Sequence, residues 1–399
     1  MTKLKRADRI SSVSISDIVV MSEAARARRA EGFDVISLGI GEPDFNTPDH
    51  VSEAAIAAIH DHDTKYPPIA GKPALRAAVA NLYDGATPAN VIVSTGSKYS
   101  LLNAFLATLN EGDEVVIPAP FWESYADIVR ICGGHAVVVP TTAEDGFKPS
   151  AHAIRAAITP RTRWLMINTP SNPTGAVMPP ALLQEIGAVL ADNPDVWLLS
   201  DEIYEHLTYD VDFHSAYDVM PELRDRMLVV NGVSKAYAMT GWRLGFGIGP
   251  AELISAMLAC QAQGTSGASS ISQSAALAAL TGPQDLLAER RASFQARRDL
   301  VLSYLNAMEG IETPTPEGAF YTFSRWTKLR GGITPDGTVL NSDHDFCNYI
   351  LHAADTTIIP GKGFAAEGHF RISYASSIED LTTALTRMAD AVAAIRMPS

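Results

Sequence analysis

The stretch LVVNGVSKAYAMTGWRLGFGIG, residues 228–249, holds two short β-rich apolar runs, LVVN (228–231) and LGFGIG (244–249). A turn carrying a lysine, Lys235, follows the first run. Short apolar runs bounded by turn residues read as buried strands. Upstream, five more such runs occur: VIVS (91–94), EVVIP (114–118), AVVVP (136–140), RWLMIN (163–168) and WLLS (197–200). Helical patterns such as SLLNAFLATLN (100–110) and PALLQEIGAVLADN (180–193) lie between most of them. Strands alternating with helices predict an α/β fold, with a mostly parallel seven-stranded sheet covered by helices on both faces.

Outward from that sheet the pattern changes. SDIVVMSEAARARRAEG (16–32) favours helix, and DVISLGIGEPDFNTP (34–48) reads as a strand breaking into a Gly/Pro loop. VSEAAIAAIHD (51–61) and KPALRAAVANLYD (72–84) have the three-to-four spacing of amphipathic helices. Downstream, residues 283–308 read as one long helix, and 309–399 mix strands (GAFYTF, HFRISYA) with helices in a smaller α/β unit. The expected division is an arm and part of a small domain over 1–45, a large domain over 46–290, and a small C-terminal domain over 291–399.

Of 399 residues, 47% are hydrophobic and 19% charged, the profile of a globular chain with a sizeable core. A net charge of −14 disfavours nucleic acid and anionic membranes as partners. The three cysteines, Cys132, Cys260 and Cys347, form no C-x-x-C pair, as expected in a reducing cytoplasm. The basic start MTKLKRADRISSVSISD has no apolar segment behind it, so no signal peptide is expected, and no run is long enough to span a membrane.

Ligands of open α/β sheets bind outside the carboxyl ends of the strands. Gly96, Trp122, Asn172, Asp201 and Lys235 each follow such an end. A lysine partly desolvated there loses basicity and becomes able to condense with an aldehyde; the alternative is a snorkelling or ion-paired lysine. Asp201 could hold a ring nitrogen protonated or simply cap the EIYEHL segment. Backbone N–H groups of Gly96, Ser97 and Lys98, at a strand-to-helix turn, could cradle a phosphate with Arg243 as a bidentate partner, although many such turns are only turns. Trp122 could stack on a flat ring or belong to the core.

The order of these residues resembles that of class I (fold-type I) pyridoxal-phosphate-dependent aminotransferases, and within them the bacterial aspartate/prephenate group. The resemblance covers residue 8 to the C-terminus and rests on GIGEPDFNTP (39–48), KYPPIAG (65–71), TGSKYSLLNAF (95–105), IPAPFWESY (117–125), NTPSNPTGAV (168–177), SDEIYEHLTY (200–209), VSKAYAMTGWRLGF (233–246), EGAFY (317–321) and FRISYA (370–375). It implies an aspartate-aminotransferase-like fold and pyridoxal 5'-phosphate carried covalently on Lys235, which also shuttles the proton. It further implies Asp201 on the ring nitrogen, Tyr204 and Asn172 on the ring oxygen, and Trp122 stacked on the ring. Gly96, Ser97, Lys98, Ser234 and Arg243 would hold the phosphate, with Tyr66 reaching it from the second subunit of a homodimer. Arg371, helped by Gly41, Trp122 and Asn172, would bind the substrate carboxylate, and Lys98 the distal carboxylate of aspartate or glutamate. Cis peptides are implied before Pro120 and Pro173. Gly232 stands where many relatives have a phosphate-binding serine, which leaves that hydroxyl to Ser234 or another residue. Tyr99 stands where relatives have smaller or amide side chains, and bears on the substrate side.

Other readings are an aminotransferase for aromatic, prephenate or neutral donors, a C–S lyase of the same fold, or a cofactor-binding regulator. The last would need a DNA-binding segment before GEPDF, where only about 40 residues stand. GFGIGP lacks the acidic residue that a dinucleotide fold would place about twenty positions on. HDHD (60–63) has no third spaced ligand, and no metal is expected.

Overall fold

A computed structural model describes residues 4–11, 13 and 15–398; residues 1–3 of the basic start lie outside the described residues. The seven apolar runs all become strands: β1 (Val91–Ser94), β2 (Glu114–Ala119), β3 (His135–Pro140), β4 (Thr162–Asn168), β5 (Trp197–Asp201), β6 (Met227–Gly232) and β7 (Gly245–Ile248). They form one sheet in the order β1-β7-β6-β5-β4-β2-β3, in which β7 alone runs antiparallel to its neighbours.

Alternation along each strand explains why these runs are apolar throughout. Val91, Val93, Val116, Leu165, Ile167, Leu198 and Val229 feed one core, while Ile92, Val115, Ile117, Trp164, Met166, Leu199, Leu228 and Val230 feed the core on the opposite face. Successive side chains point to opposite faces, so a strand covered on both sides cannot alternate with polar residues.

Five helices matter for the site: α1 (Asp17–Ala30), α2 (Ser97–Thr108), α3 (Ser124–Ile131), α4 (Ala251–Gly264) and α5 (Asp285–Leu305). Helix α5 is shorter than the expected 283–308. Pro283 and Gln284 precede its first turn, and the chain past Asn306 closes in tight turns at Ala307 and Met308.

A third core gathers Met21, Ala25, Val35 and Leu38 with residues between Phe294 and Val392, joined by a few from the large sheet's loops. It contains an antiparallel three-stranded sheet, β8 (Tyr321–Arg325), β9 (Ile359–Pro360) and β10 (His369–Ser373), in the order β9-β10-β8. Ile36–Ser37 pairs in parallel with Thr356–Thr357 and ties the start of the chain to this unit.

Candidate active site

Strand direction builds the site. The carboxyl ends of β1, β2, β4, β5 and β6 lie on one edge of the sheet, and because β7 runs the other way, the residues just before it arrive at that same edge. This brings Arg243 beside Gly96, Trp122, Asn172, Asp201 and Lys235. The crevice they border has a volume of about 360 Å³. Of the residues selected from sequence, Gly41, Ser97, Lys98, Trp122, Asn172, Asp201, Tyr204, Ser234, Lys235, Arg243 and Arg371 all line it.

Two of the selected residues do not. Gly96 lies directly beneath Arg243: its φ is +79°, and a Cβ there would come within 2.6 Å of Arg243 Nη2. Only glycine adopts that backbone while letting the guanidinium approach. Tyr66 is 93% exposed and does not line the cavity of its own chain.

The Lys235 ammonium donates to the Gly41 carbonyl at 2.5 Å. Burial pulls its pKa down to about 8, helped by Arg371 and Arg243 and opposed by Glu42 and Asp201. Asp201 accepts from the Tyr125 hydroxyl at 2.7 Å and from the Ile203 N–H at 3.3 Å. Burial still pushes its carboxyl up to about 6. The charge of Lys235 offsets burial only in part, and a protonated ring nitrogen would supply a further cation.

Arg371 projects from β10 and is 1% exposed. Its guanidinium donates to Asn172 Oδ1 at 2.8 Å and to the Gly39 carbonyl at 2.6 Å, while its Nε–H has no partner. It lies 4.5 Å from the centroid of the Tyr321 ring. A buried guanidinium bonded only to neutral oxygens retains its charge for an anion. Lys98 Nζ sits 4.3 Å over the Trp122 ring and donates to Ser124 Oγ at 3.3 Å.

Both expected cis peptides, Ala119–Pro120 and Asn172–Pro173, are present, with a third at Thr169–Pro170. At Gly232, a Cβ would lie 2.7 Å from Ser97 Oγ and 2.9 Å from Gly245 Cα. No serine fits there because Ser97, which donates to the Asn231 carbonyl at 2.8 Å, already fills the space. Tyr99 is corrected by the structure. Its hydroxyl packs over Gly264 at the end of α4, where no Cβ would fit, and the side chain does not line the cavity.

Sequence reasoning assigned no role to Tyr125, Tyr321, Ile18, Ile40 or Glu123. Tyr125 lies three residues beyond Trp122, one helical turn away, a spacing that could have flagged it. Tyr321 opens β8, its hydroxyl 2.8 Å from that of Tyr204, and crowds Gly41 so closely that only glycine passes. Among the described residues no group of three metal-ligating side chains occurs, and Asp63 of HDHD pairs with Lys72. Among them, no helix is long and apolar enough to cross a membrane.

A lysine, an aspartate and an arginine fork at the carboxyl edge of such a sheet define an enzyme that works on amines through a bound aldehyde. The model of the family "Aminotransferase class I and II" matches residues 34–388. The chain is 49% identical over 391 residues to an aspartate aminotransferase of Rhizobium meliloti (strain 1021), covering 96% of this chain and 95% of that one. It is 48% identical over 388 residues to a probable aspartate/prephenate aminotransferase of Rhizobium leguminosarum bv. phaseoli, covering 96% and 97%. The crystal structure of the Rhizobium meliloti aspartate aminotransferase superposes with a TM-score of 0.95 at 48% identity, covering 98% of this chain and all of that one. The chain belongs to the class I and II aminotransferase family, and it is a pyridoxal-phosphate-dependent aminotransferase.

Proposed function

We propose that this enzyme moves the amino group of aspartate or glutamate to a 2-oxo acid, with 2-oxoglutarate and oxaloacetate as the acceptors, in two half-reactions at the crevice described above. The observation that carries this reading is the pair of cations, Arg371 and Lys98, that line the cavity of Lys235. A dicarboxylic donor needs two such cations, and the sequence offers no other obvious one for its distal end.

Bound pyridoxal phosphate supplies an aldehyde that condenses with amines and a ring that withdraws electrons from the bond being broken. Lys235 would hold it and, when free, would move a proton to and from the donor carbon. Asp201, oriented by Tyr125, would keep the ring nitrogen protonated. Tyr204 and Asn172 would donate to the ring oxygen, and Trp122 would pack against the ring. The N–H groups of Ser97 and Lys98, with Ser234 and Arg243, would receive the phosphate, while the Gly96 N–H expected to join them donates instead to the Ser94 carbonyl at 2.8 Å. Arg371 grips the α-carboxylate, with Gly41 and Asn172 alongside.

Replacing Lys98 with alanine should lower kcat/KM for aspartate and glutamate by about ten- to a thousandfold, or ~1.4–4 kcal/mol. Neutral donors should lose little. The check is a panel of amino acids against 2-oxoglutarate, oxaloacetate and pyruvate, run on wild type and variant; equal losses for all donors would assign Lys98 to the cofactor instead. A second reading, aromatic or prephenate donors, is favoured by the apolar wall of Ile18, Ile40 and Leu101. The same panel separates it, and a C–S lyase would show release of a thiol.

We also propose a homodimer in which Tyr66 completes the partner's phosphate site. An exposed aromatic on an anchored loop supports this: Gln261 Nε2 donates to the carbonyls of Ile69 and Val93 at 2.7 and 2.8 Å. Sedimentation of the loaded enzyme should give a dimer, and Tyr66→Phe should weaken cofactor retention; an active monomer would remove the proposal. The composition of the third core supports a small domain from 1–45 and 291–399 beside a large one over 46–290. A cytoplasmic location is part of the same reading, supported by three unpaired cysteines.

A further inference from the structure

Glu123 follows Trp122 in the turn between β2 and α3 and is only 8% exposed. Its carboxylate is held at the start of α1, from where its charge still acts on Lys98. One oxygen accepts from the Asp17 N–H at 3.0 Å and the other from the Ile18 N–H at 3.4 Å, in the first turn of α1. The first N–H groups of a helix have no partner within it, and the positive end of the helix favours an anion. Ser16 Oγ, from the helix's own cap, takes the Val19 N–H at 3.4 Å. Glu123 therefore joins the cofactor edge of the large sheet to a helix whose other contacts belong to the third core.

Behind the carboxylate a cavity of about 380 Å³ is bordered by Ser16, Asp17, Phe121, Glu123, His344 and Gly363. A Cβ on Gly363 would lie 2.8 Å from Glu123 Oε2 and 2.9 Å from Asp17 Oδ2, and Phe121 donates to the Phe364 carbonyl at 3.2 Å. His344 Nε2 is 3.0 Å from Asp17 Oδ1 on the far side. The helix start is thus clamped between the Trp122 turn and the Gly361–Phe364 turn. Ile18, whose N–H Glu123 holds, lines the cavity together with Lys98, Leu101 and Trp122.

We propose that Glu123 is a positioning residue for donor binding: it seats the start of α1 so that Ile18 forms the apolar wall beside Lys98. Its oxygens accept from backbone N–H groups, so it acts on the Lys98 ammonium through its charge rather than by a direct hydrogen bond. The inference deepens the reading of the site given above. It is to be measured with whichever donor the wild-type enzyme turns over best, so that failure of the aspartate assignment appears in the wild-type panel and failure of this one only in the variants.

Glu123→Ala should raise KM for that donor about tenfold or more while kcat stays within about threefold, because no reacting group is lost. Cofactor absorbance and its pH titration should be unchanged. Glu123→Gln, which keeps the size and one acceptor oxygen, should fall between wild type and alanine. Gly363→Ala, which pushes on the same carboxylate from behind without touching the cavity, should reproduce the rise in KM. The double variant Glu123→Ala/Ile18→Ala should lose no more than Ile18→Ala alone, since both changes remove the same wall. Additive losses, an unchanged KM in all three single variants at Glu123 and Gly363, or a lower KM for dicarboxylic donors would each overturn the proposal.

Discussion

Replacing Lys235 with alanine is expected to abolish amino-group transfer, lowering kcat by a factor of at least about 10⁴, the upper end of what a positioned acid–base group contributes. The variant loses both the covalent anchor and the amine held at the crevice floor against the Gly41 carbonyl. Borohydride treatment of the loaded wild-type enzyme should fix the cofactor on a single peptide containing Lys235. The structure adds a pH dependence. A free lysine has a pKa near 10.4, whereas burial brings Lys235 down to about 8. Only the neutral amine condenses with an aldehyde, so cofactor uptake by the stripped protein should rise with pH through about 8 and then level off. A midpoint near that of free lysine would show that the amine is solvated, and labelling of a different lysine would overturn the assignment.

The second large effect is expected at Arg371. Its guanidinium is held by Asn172 Oδ1 and the Gly39 carbonyl in a fully buried setting. Arg371→Ala leaves those two oxygens without donors and removes the charge that receives a carboxylate. Breaking a buried ionic interaction costs about 3–5 kcal/mol, which predicts a fall in kcat/KM by a factor of roughly 10² to 10⁴. Arg371→Lys keeps the charge but not the fork, and should still lose about tenfold or more. Both half-reactions place the same group, so the loss should appear for amino donors and 2-oxo acceptors alike. Retained kcat/KM with reduced thermal stability would mean that the arginine only supports the fold.

Much of this was legible before any coordinates. Six of the seven strands of the large sheet were readable because they are buried along nearly their whole length, as at VIVS and LVVN, and the partly exposed edge strand His135–Pro140 through its run of valines. The residues at their carboxyl ends were legible for a related reason. Parallel strands bring those ends to one edge, so Asp201, Asn172, Trp122 and Lys235 could be grouped from strand positions alone. The reversed β7 was not evident from its pattern, and Arg243 joins the site through that reversal, as TGWRLG enters the sheet from the catalytic edge.

What lay hidden depends on which distant segments meet. Arg371 and Asn172 are 199 residues apart, and nothing in local period or composition pairs them. Glu123 drew no reading from the sequence, yet the first turn of α1, more than a hundred residues earlier, makes it a helix-capping anion. Tyr99 shows the opposite case: it sits beside the phosphate turn in sequence, but the helix rotates it onto Gly264 and away from the cavity. The sequence by itself determined the strands, the edge at which they present chemistry, and the residue types found there, since those follow from periodicity and strand direction. The tertiary structure decided which side chains share the cavity, which carboxylate is buried at its edge and which is spent on a helix, because helix rotation and long-range contacts carry no local signature.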